Sequence, residues 1–569
     1  MNKKNLLSIL MVIVALSMIV ASCGTATEPT AVVEEPTAVV EEPTAVVEEP
    51  TAVAEEPTAA PEEPAAKKVL RVGYHQEPDT LNPFTSQMTG EVGLSMIEGL
   101  VMSNNENTYI PVLAKEIPTF DNGGIVANDD GTLDMTWHLQ EGVKWHDGVE
   151  FTSADVCFTY DWLMTDGAVM VYNQLEYTEH ILACDAPDPY TVVFHWKDTY
   201  APYVTLFDSI LPKHILEGQD VATYDAYNRS PIGTGPFKFV EWKAGEYVRV
   251  ERNEDYWRGP EYPYLDEVVY YVVPDVNTRL NGLKAGEYDI AEIDTTQVGE
   301  MEGVAGYRVE MVNRNIWINF ATAINSDRTK NLFGDKAVRQ ALAYAIDKES
   351  IVNDLLEGTV EVAYTPILPN SPYHNPNVNH YDFDLEKAAQ MLDDAGWVVG
   401  DDGIRVKDGE RFSFTFMARA SRAQRTAIAQ VIQALYKEIG IEVKIETKED
   451  SAWIESWVGG DWDAIIAGWI LPADPSITGL YACGASNNMT GHCNPELDEI
   501  MRASDTELDM EKRQELMFQA QEMLLDEAVE IPLHYMTTPF VLNAKFEGFK
   551  GSGTNLGSFW NMYEWNLAD

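Results

Sequence analysis

Between residues 411 and 471 the hydrophobic period switches repeatedly, and few folds accommodate the order in which it does so. Phe412, Phe414 and Phe416 alternate as in a half-buried strand, then Ala427, Val431 and Leu435 recur at helical spacing until Gly440. Val443 and Ile445 alternate again, a helical stretch covers residues 453–458, and Ala464-Ile465-Ile466-Ala467 reads as an apolar strand. Strand, helix, strand, helix, strand predicts a parallel sheet with right-handed crossovers, whose ligands lie beyond the carboxyl ends of the strands. That rule makes Met417, Ala418, Arg419 and residues 468–471 crevice candidates. Upstream, Val338, Ala341, Leu342, Ala345 and Ile346 form one apolar stripe, which predicts a core-facing helix over residues 335–356. A second helix is expected over residues 385–395, closed by Gly396.

The other half of the chain is richer in short strands, expected at residues 133–139, 190–196, 247–251 and 268–273. An α/β lobe beside a more β-rich lobe implies a cleft between them. From Val69 onward the chain is roughly 500 residues long, more than one core usually organises, so two or three domains are expected.

The first 68 residues are of another kind. Lys3 and Lys4 precede an apolar run over residues 6–20 that is short for a permanent membrane span and reads as a signal peptide. It ends Val20-Ala21-Ser22-Cys23, which resembles a bacterial lipobox, with Cys23 as the lipidated first residue of the mature protein. A repeat of period seven follows, TAVVEEP in its first copies. A proline in every repeat and repelling glutamate pairs favour an extended tether. Fully extended as polyproline, residues 23–68 would reach on the order of 140 Å.

The formal net charge is −53, only partly owed to the tether, so nucleic acid and anionic lipid surfaces would be repelled. Solubility or adaptation to salt accounts for this acidity better than attraction of a cationic solute does. Besides Cys23 there are four cysteines. Cys483 and Cys493 bracket a polar loop that a disulfide would restrain. Cys157, in an expected helix, and Cys184, just before an expected strand, are either bridged or free.

No GxSxG, HExxH, GxxxxGK or GxGxxG motif is found among the segments, and Pro236 removes a donor from the one loop, Gly233-Thr234-Gly235, that approaches a phosphate cradle. His374 and His380 fall in an Asn- and Pro-rich loop better explained as surface than as a metal site. Adjacent carboxylates arise by chance in so acidic a chain. Neither catalysis nor a cofactor or metal is expected.

Several segments resemble the extracytoplasmic solute-binding proteins of the peptide, oligopeptide and nickel importers, family 5. Leu70-Arg71-Val72-Gly73 with Asp79-Thr80-Leu81-Asn82-Pro83 is similar to that family's first strand and turn. Trp137-His138-Leu139, Gly142 to Gly148 (GVKWHDG) and Thr152 to Val156 (TSADV) resemble its most recognisable signature. GTGPFKFVEW from Gly233, RNEDYW from Arg252, AGEYDIA from Ala285, VRQALAYAID from Val338 and IPLHY from Ile531 follow in family order.

The resemblance implies an α/β fold of the periplasmic-binding-protein type II, cluster C, with two α/β lobes, a hinge of two crossing strands and an extra β-rich subdomain. Its expected divisions are a signal peptide to residue 22, a tether over 23–68, lobe I over 69–108, 229–312 and 536–569, the insert over 109–228, and lobe II over 313–535. It implies a monomer outside the cytoplasm, anchored to the membrane through its lipid. Closing on a peptide or other small solute, such a protein hands it to an ATP-driven permease. The carried-over cleft positions are Gln76, Glu77, Pro78 and Asp79, then Trp317, Asn319 and Phe320, then Met417 to Arg419, then Trp469 and Asp474. Tyr481 joins Trp317, Phe320 and Trp469 as an aromatic supply suited to peptide side chains or to sugar rings.

Two positions depart from the pattern. Leu471 stands where peptide binders place the aspartate that pairs with a ligand ammonium, so Asp474, Glu77 or Asp79 would have to replace it, and Ala321 stands where an asparagine is expected. Peptide is the first reading of the ligand and oligosaccharide the second. A secreted hydrolase or a purely structural surface lipoprotein are readings from other classes. For the anchor, Cys23→Ser should move the protein from the membrane to the soluble fraction on cell fractionation, and unchanged membrane association would refute lipidation there.

Overall fold

The computed structural model describes residues 67–86, 91–168, 174–420, 422–554 and 557–568. The signal peptide, Cys23 and all of the repeats lie outside these residues.

The expected alternation over residues 411–471 is present almost residue for residue. The strands of the main sheet and of the insert are β1 (Val69–Tyr74), β2 (Ile125–Ala127), β3 (Leu133–His138), β4 (Ile181–Asp188), β5 (Thr191–Trp196), β6 (Phe237–Lys243) and β7 (Tyr247–Arg252). They continue with β8 (Glu267–Val272), β9 (Ile290–Glu292), β10 (Tyr307–Thr322), β11 (Ser413–Arg419), β12 (Glu442–Lys448), β13 (Ala464–Ile470) and β14 (Glu530–Asn543). Helices α1 (Lys336–Tyr344), α2 (Ala423–Glu438) and α3 (Asp450–Gly459) belong to the second half. Gly440, at φ +81°, supplies the left-handed residue after α2 that the sequence called for.

Among the described residues ten strands form one sheet in the order β12-β11-β13-β10-β14-β9-β1-β8-β7-β6. β1 runs parallel to β8 and β9, and β11 runs parallel to β12 and β13. Between these two groups lie β10 and β14, antiparallel to each other and to their outer neighbours. Following the directions across the sheet, the two parallel groups point at one another. β9 ends level with Glu310, where Glu292 pairs with Phe540, and β13 ends level with Ile316. Only the crossing pair spans the stretch between, and its ladder is broken there by a bulge between Asn313 and Trp317.

A separate sheet, β2-β3-β5-β4, forms the β-rich insert. Among the described residues its core is shared: Trp137 and Phe194 of the insert, Leu70 and Val250 of lobe I, and Phe546 and Trp565 from the C-terminal return belong to one buried cluster. A second cluster fills lobe II around Leu342, Phe414, Ile432 and Tyr436. Uncharged amides join the two halves at the back of the crossing pair. Asn315 Nδ2 donates to Asn107 Oδ1 at 2.7 Å, Asn107 Nδ2 to Asn370 Oδ1 at 2.7 Å, and Asn370 Nδ2 to the Asn105 carbonyl at 3.0 Å.

Two expectations need correction. The helix expected over 335–356 stops at Tyr344, because the Asp347 carboxylate accepts from the Ser350 amide and starts a new short turn; the apolar stripe ran on through the break and concealed it. Cys184 lies within β4, not before it. The Cys483 and Cys493 sulfurs sit at bonding distance with Cα atoms 4.6 Å apart, and those of Cys157 and Cys184 likewise at 5.4 Å. Peptide mapping without reductant should recover both pairs as bridges, and Cys157→Ser/Cys184→Ser should lower stability by about 2–4 kcal/mol in denaturant unfolding.

Candidate functional site

Where the two parallel groups face each other, a cavity of about 740 Å³ opens on one side of the crossing strands. This size accommodates a small ligand. Its lobe I wall is the carboxyl end of β9 and the turn after it, with Glu292 and Asp294; its lobe II wall includes Glu357, Val360 and the start of α2, with Arg422 and Arg425. The floor carries Ile318 from β10 and His534, Met536 and Thr538 from β14.

None of the thirteen residues expected at the cleft lines this cavity. The reason is strand phase. Successive residues of a strand face opposite sides, so a slip of one position moves a side chain to the other face of the sheet. Ile318 and His534 face the cavity; their neighbours Trp317 and Tyr535 pack together in a buried cluster that also holds Leu471 and Tyr481. Phe320 is sealed in the lobe II core against Phe416 and Tyr436. Met417 and Ala418 are buried, and Asn319 is wholly buried.

The remaining candidates are engaged within the protein. Glu77 accepts from Trp242 Nε1 at 3.0 Å and the Gly245 amide at 2.9 Å, beside half-buried Gln76 and buried Pro78. Asp79 accepts from the Thr80 amide and from Ser86 Oγ. Asp474, offered as a substitute partner for a ligand ammonium, is instead buried in an ion pair with Arg513, which also reaches Tyr373 and the Pro475 carbonyl. Breaking that pair would strand a charge in the interior. Arg419, partly exposed, pairs with Asp450 at 3.0 Å. Trp469 is partly exposed, its ring 5.3 Å from that of Trp457.

The residues expected at the turn, Met417 to Arg419, end β11, and the residues that follow them, from Arg422 onward, line the cavity. The available signal was the spacing Arg419-x-x-Arg422-x-x-Arg425, three cations at the head of a helix in a strongly acidic chain. His534 was also passed over, quoted only within IPLHY.

Three of the expected aromatics share one hydrogen-bond partner. Trp317, Trp469 and Tyr481 converge on Glu530, a buried carboxyl at the start of β14, with Tyr481 Oη donating at 2.9 Å. Burial pushes the Glu530 carboxyl up to about 7, against the hydrogen bonds from Tyr481, Trp469 and Trp317, which lower it.

The geometry is that of a receptor, and comparison with known proteins agrees. Residues 108–491 match the model of the bacterial extracellular solute-binding proteins, family 5, middle region. This chain belongs to that family. It is 33% identical over 462 residues to the oligopeptide-binding protein AppA of Bacillus subtilis, covering 77% of this chain and 82% of that one. The structure of AppA from Bacillus subtilis in complex with a nonapeptide superposes with a TM-score of 0.68 at 30% identity, over 88% of this chain and 100% of that one. That of NikZ from Campylobacter jejuni in complex with Ni(L-His) gives 0.70 at 26%, over 88% and 100%. The family consists of substrate-binding proteins, not enzymes, and the periplasmic-binding-protein fold with its large mixed sheet and additional small sheets is the one the sequence led to.

Because Glu530 binds its proton more tightly folded than unfolded, its contribution to stability is full below about pH 4.5 and is lost as pH rises through about 7. Glu530→Gln should therefore flatten the fall in stability between pH 5 and 8, removing up to about 3 kcal/mol of it in denaturant titrations.

Proposed function

We propose that this protein captures a peptide between its lobes and delivers it to the permease of an ATP-driven importer, held to the membrane outside the cytoplasm by a lipid on Cys23. One observation carries the reading: two parallel strand groups aim their carboxyl ends at a common cavity and are joined there by a single pair of crossing strands. Ligand contacts with both groups at once would favour the closed state over the open one, which is how a binding event becomes a signal the permease can read. Peptide is favoured over other solutes by the likeness to AppA and by the cavity's mixed charges, Glu292 and Asp294 on lobe I and Arg422, Arg425 and Glu357 on lobe II, which complement a zwitterion.

The oligosaccharide reading loses most of its support, since Trp317, Phe320 and Tyr481 offer no ring face to a ligand. Only the partly exposed pair Trp457 and Trp469 speaks for it.

Titration calorimetry with mixed di- to pentapeptides and with β-linked oligosaccharides separates the two: micromolar binding is expected for peptides and none for sugars. Scattering of the peptide-saturated protein should show compaction; stabilisation by peptide with no compaction would rule out closure. Because Leu471 replaces the usual aspartate, N-acetylation of a bound peptide should weaken it less than about tenfold.

A further inference from the structure

Asn319 is wholly buried in β10, and among the described residues neither its Oδ1 nor its Nδ2 has a hydrogen-bond partner. A buried amide left so on both atoms calls for an explanation. Its place on the strand supplies one. Trp317, Asn319 and Ala321 succeed one another on one face of β10, where Asn319 pairs with Pro532 and Ala321 with Glu530. The Trp317 indole reaches the Glu530 carboxyl along that face, so the Asn319 side chain stands in the path between them.

Glu530 already receives three donors, Tyr481 Oη at 2.9 Å and the indole N–H groups of Trp317 and Trp469. A neutral acid also has an O–H to give, and indoles have no acceptor for it. Asn319 Oδ1 is the orphaned acceptor on the same face. Once the proton leaves, the carboxylate can only accept, and Nδ2 is the orphaned donor. A half-turn of one amide thus serves both protonation states, which is why both of its atoms are free.

No formal charge competes for this position. Tyr481 is the titratable partner, and burial raises it so that it stays protonated. Glu527, three residues before Glu530, is paired with Arg339 at 3.0 Å and lies 3.6 Å from His492, while Asp474 is paired with Arg513. The network also sits on the hinge. At Trp317 the ladder between β10 and β14 resumes after its bulge, Glu530 begins β14, and Trp469, paired with Trp317 on β13, is the partly exposed member.

We propose, building on the capture of solute argued above, that Glu530 and Asn319 form a proton site behind the crossing strands, and that a proton held there secures the hinge in the geometry that captures. An ionised Glu530 has no cation beside it and draws water in past Trp469, parting the strands that it joins. A loosened hinge populates the binding-competent geometry less, and the apparent affinity falls by that fraction. Capture is therefore strongest in slightly acid surroundings.

Two titrations between pH 5 and 9 test this on the full body. Without ligand, the indole N–H resonances of Trp317 and Trp469 in isotope-labelled protein should shift together with a midpoint of about 7. Glu530→Gln should abolish that transition, and Asn319→Asp, a like charge beside Glu530, should raise its midpoint by roughly one pH unit or more. In calorimetry with mixed di- to pentapeptides, wild-type affinity should fall about tenfold from pH 6 to 8. Glu530→Gln, a permanent mimic of the protonated acid, should keep the acid-side affinity at both. A resonance transition without any change in affinity would overturn the coupling while leaving peptide capture standing. A transition that is absent from wild type, or that survives in Glu530→Gln, would overturn the proton site itself. Peptides that bind at no pH would remove the capture reading and the coupling with it, though not a proton site seen in the resonances.

Discussion

Everything that makes this molecule a receptor depends on the antiparallel pairing of β10 with β14. Each lobe has its own parallel sheet with helices on its faces, and a lone sheet of that kind can offer a ligand only one row of carboxyl ends. Running two long strands in opposite senses through both sheets reverses the direction of one lobe relative to the other. The two rows of ends then meet. No loop insertion achieves this, because the reversal is set by backbone hydrogen bonding and not by any side chain.

The same pair separates two environments. One face carries the cavity with Ile318 and His534; the other buries Trp317 and Tyr535, with Glu530 among tryptophan and tyrosine donors. Burying Glu530 costs desolvation that its donors only partly offset, so the carboxyl keeps a proton near neutrality. On the cavity side, among the described residues, Arg422 and Arg425 have no carboxylate within ion-pair distance.

Much of this was legible in the sequence where periodicity and order decide. The five alternating segments of lobe II were located from Phe412 to Ala467 because each period outlasts its element's ends. What could not be read was phase. Nothing in the string WINF says whether Trp317 or Ile318 faces the cavity, since both faces of the sheet are covered and both are apolar. The helix break at Asp347 was hidden for a related reason: the core accepts the same residues whether the backbone beneath them continues or restarts. Arg425 was legible in principle, because a cation repeated every third residue at a helix start is conspicuous in a chain this acidic.

The amides at the back of the crossing strands, Asn105, Asn107, Asn315 and Asn370, have a consequence of their own. They tie the shared core of lobe I and its insert to lobe II without a single formal charge among them. Water can replace such bonds at a net cost of about 1 kcal/mol each, and ionic strength leaves that exchange almost untouched. For a body that carries dozens of excess carboxylates and meets whatever brine surrounds the cell, the clasp would keep the same tension in fresh water and in salt.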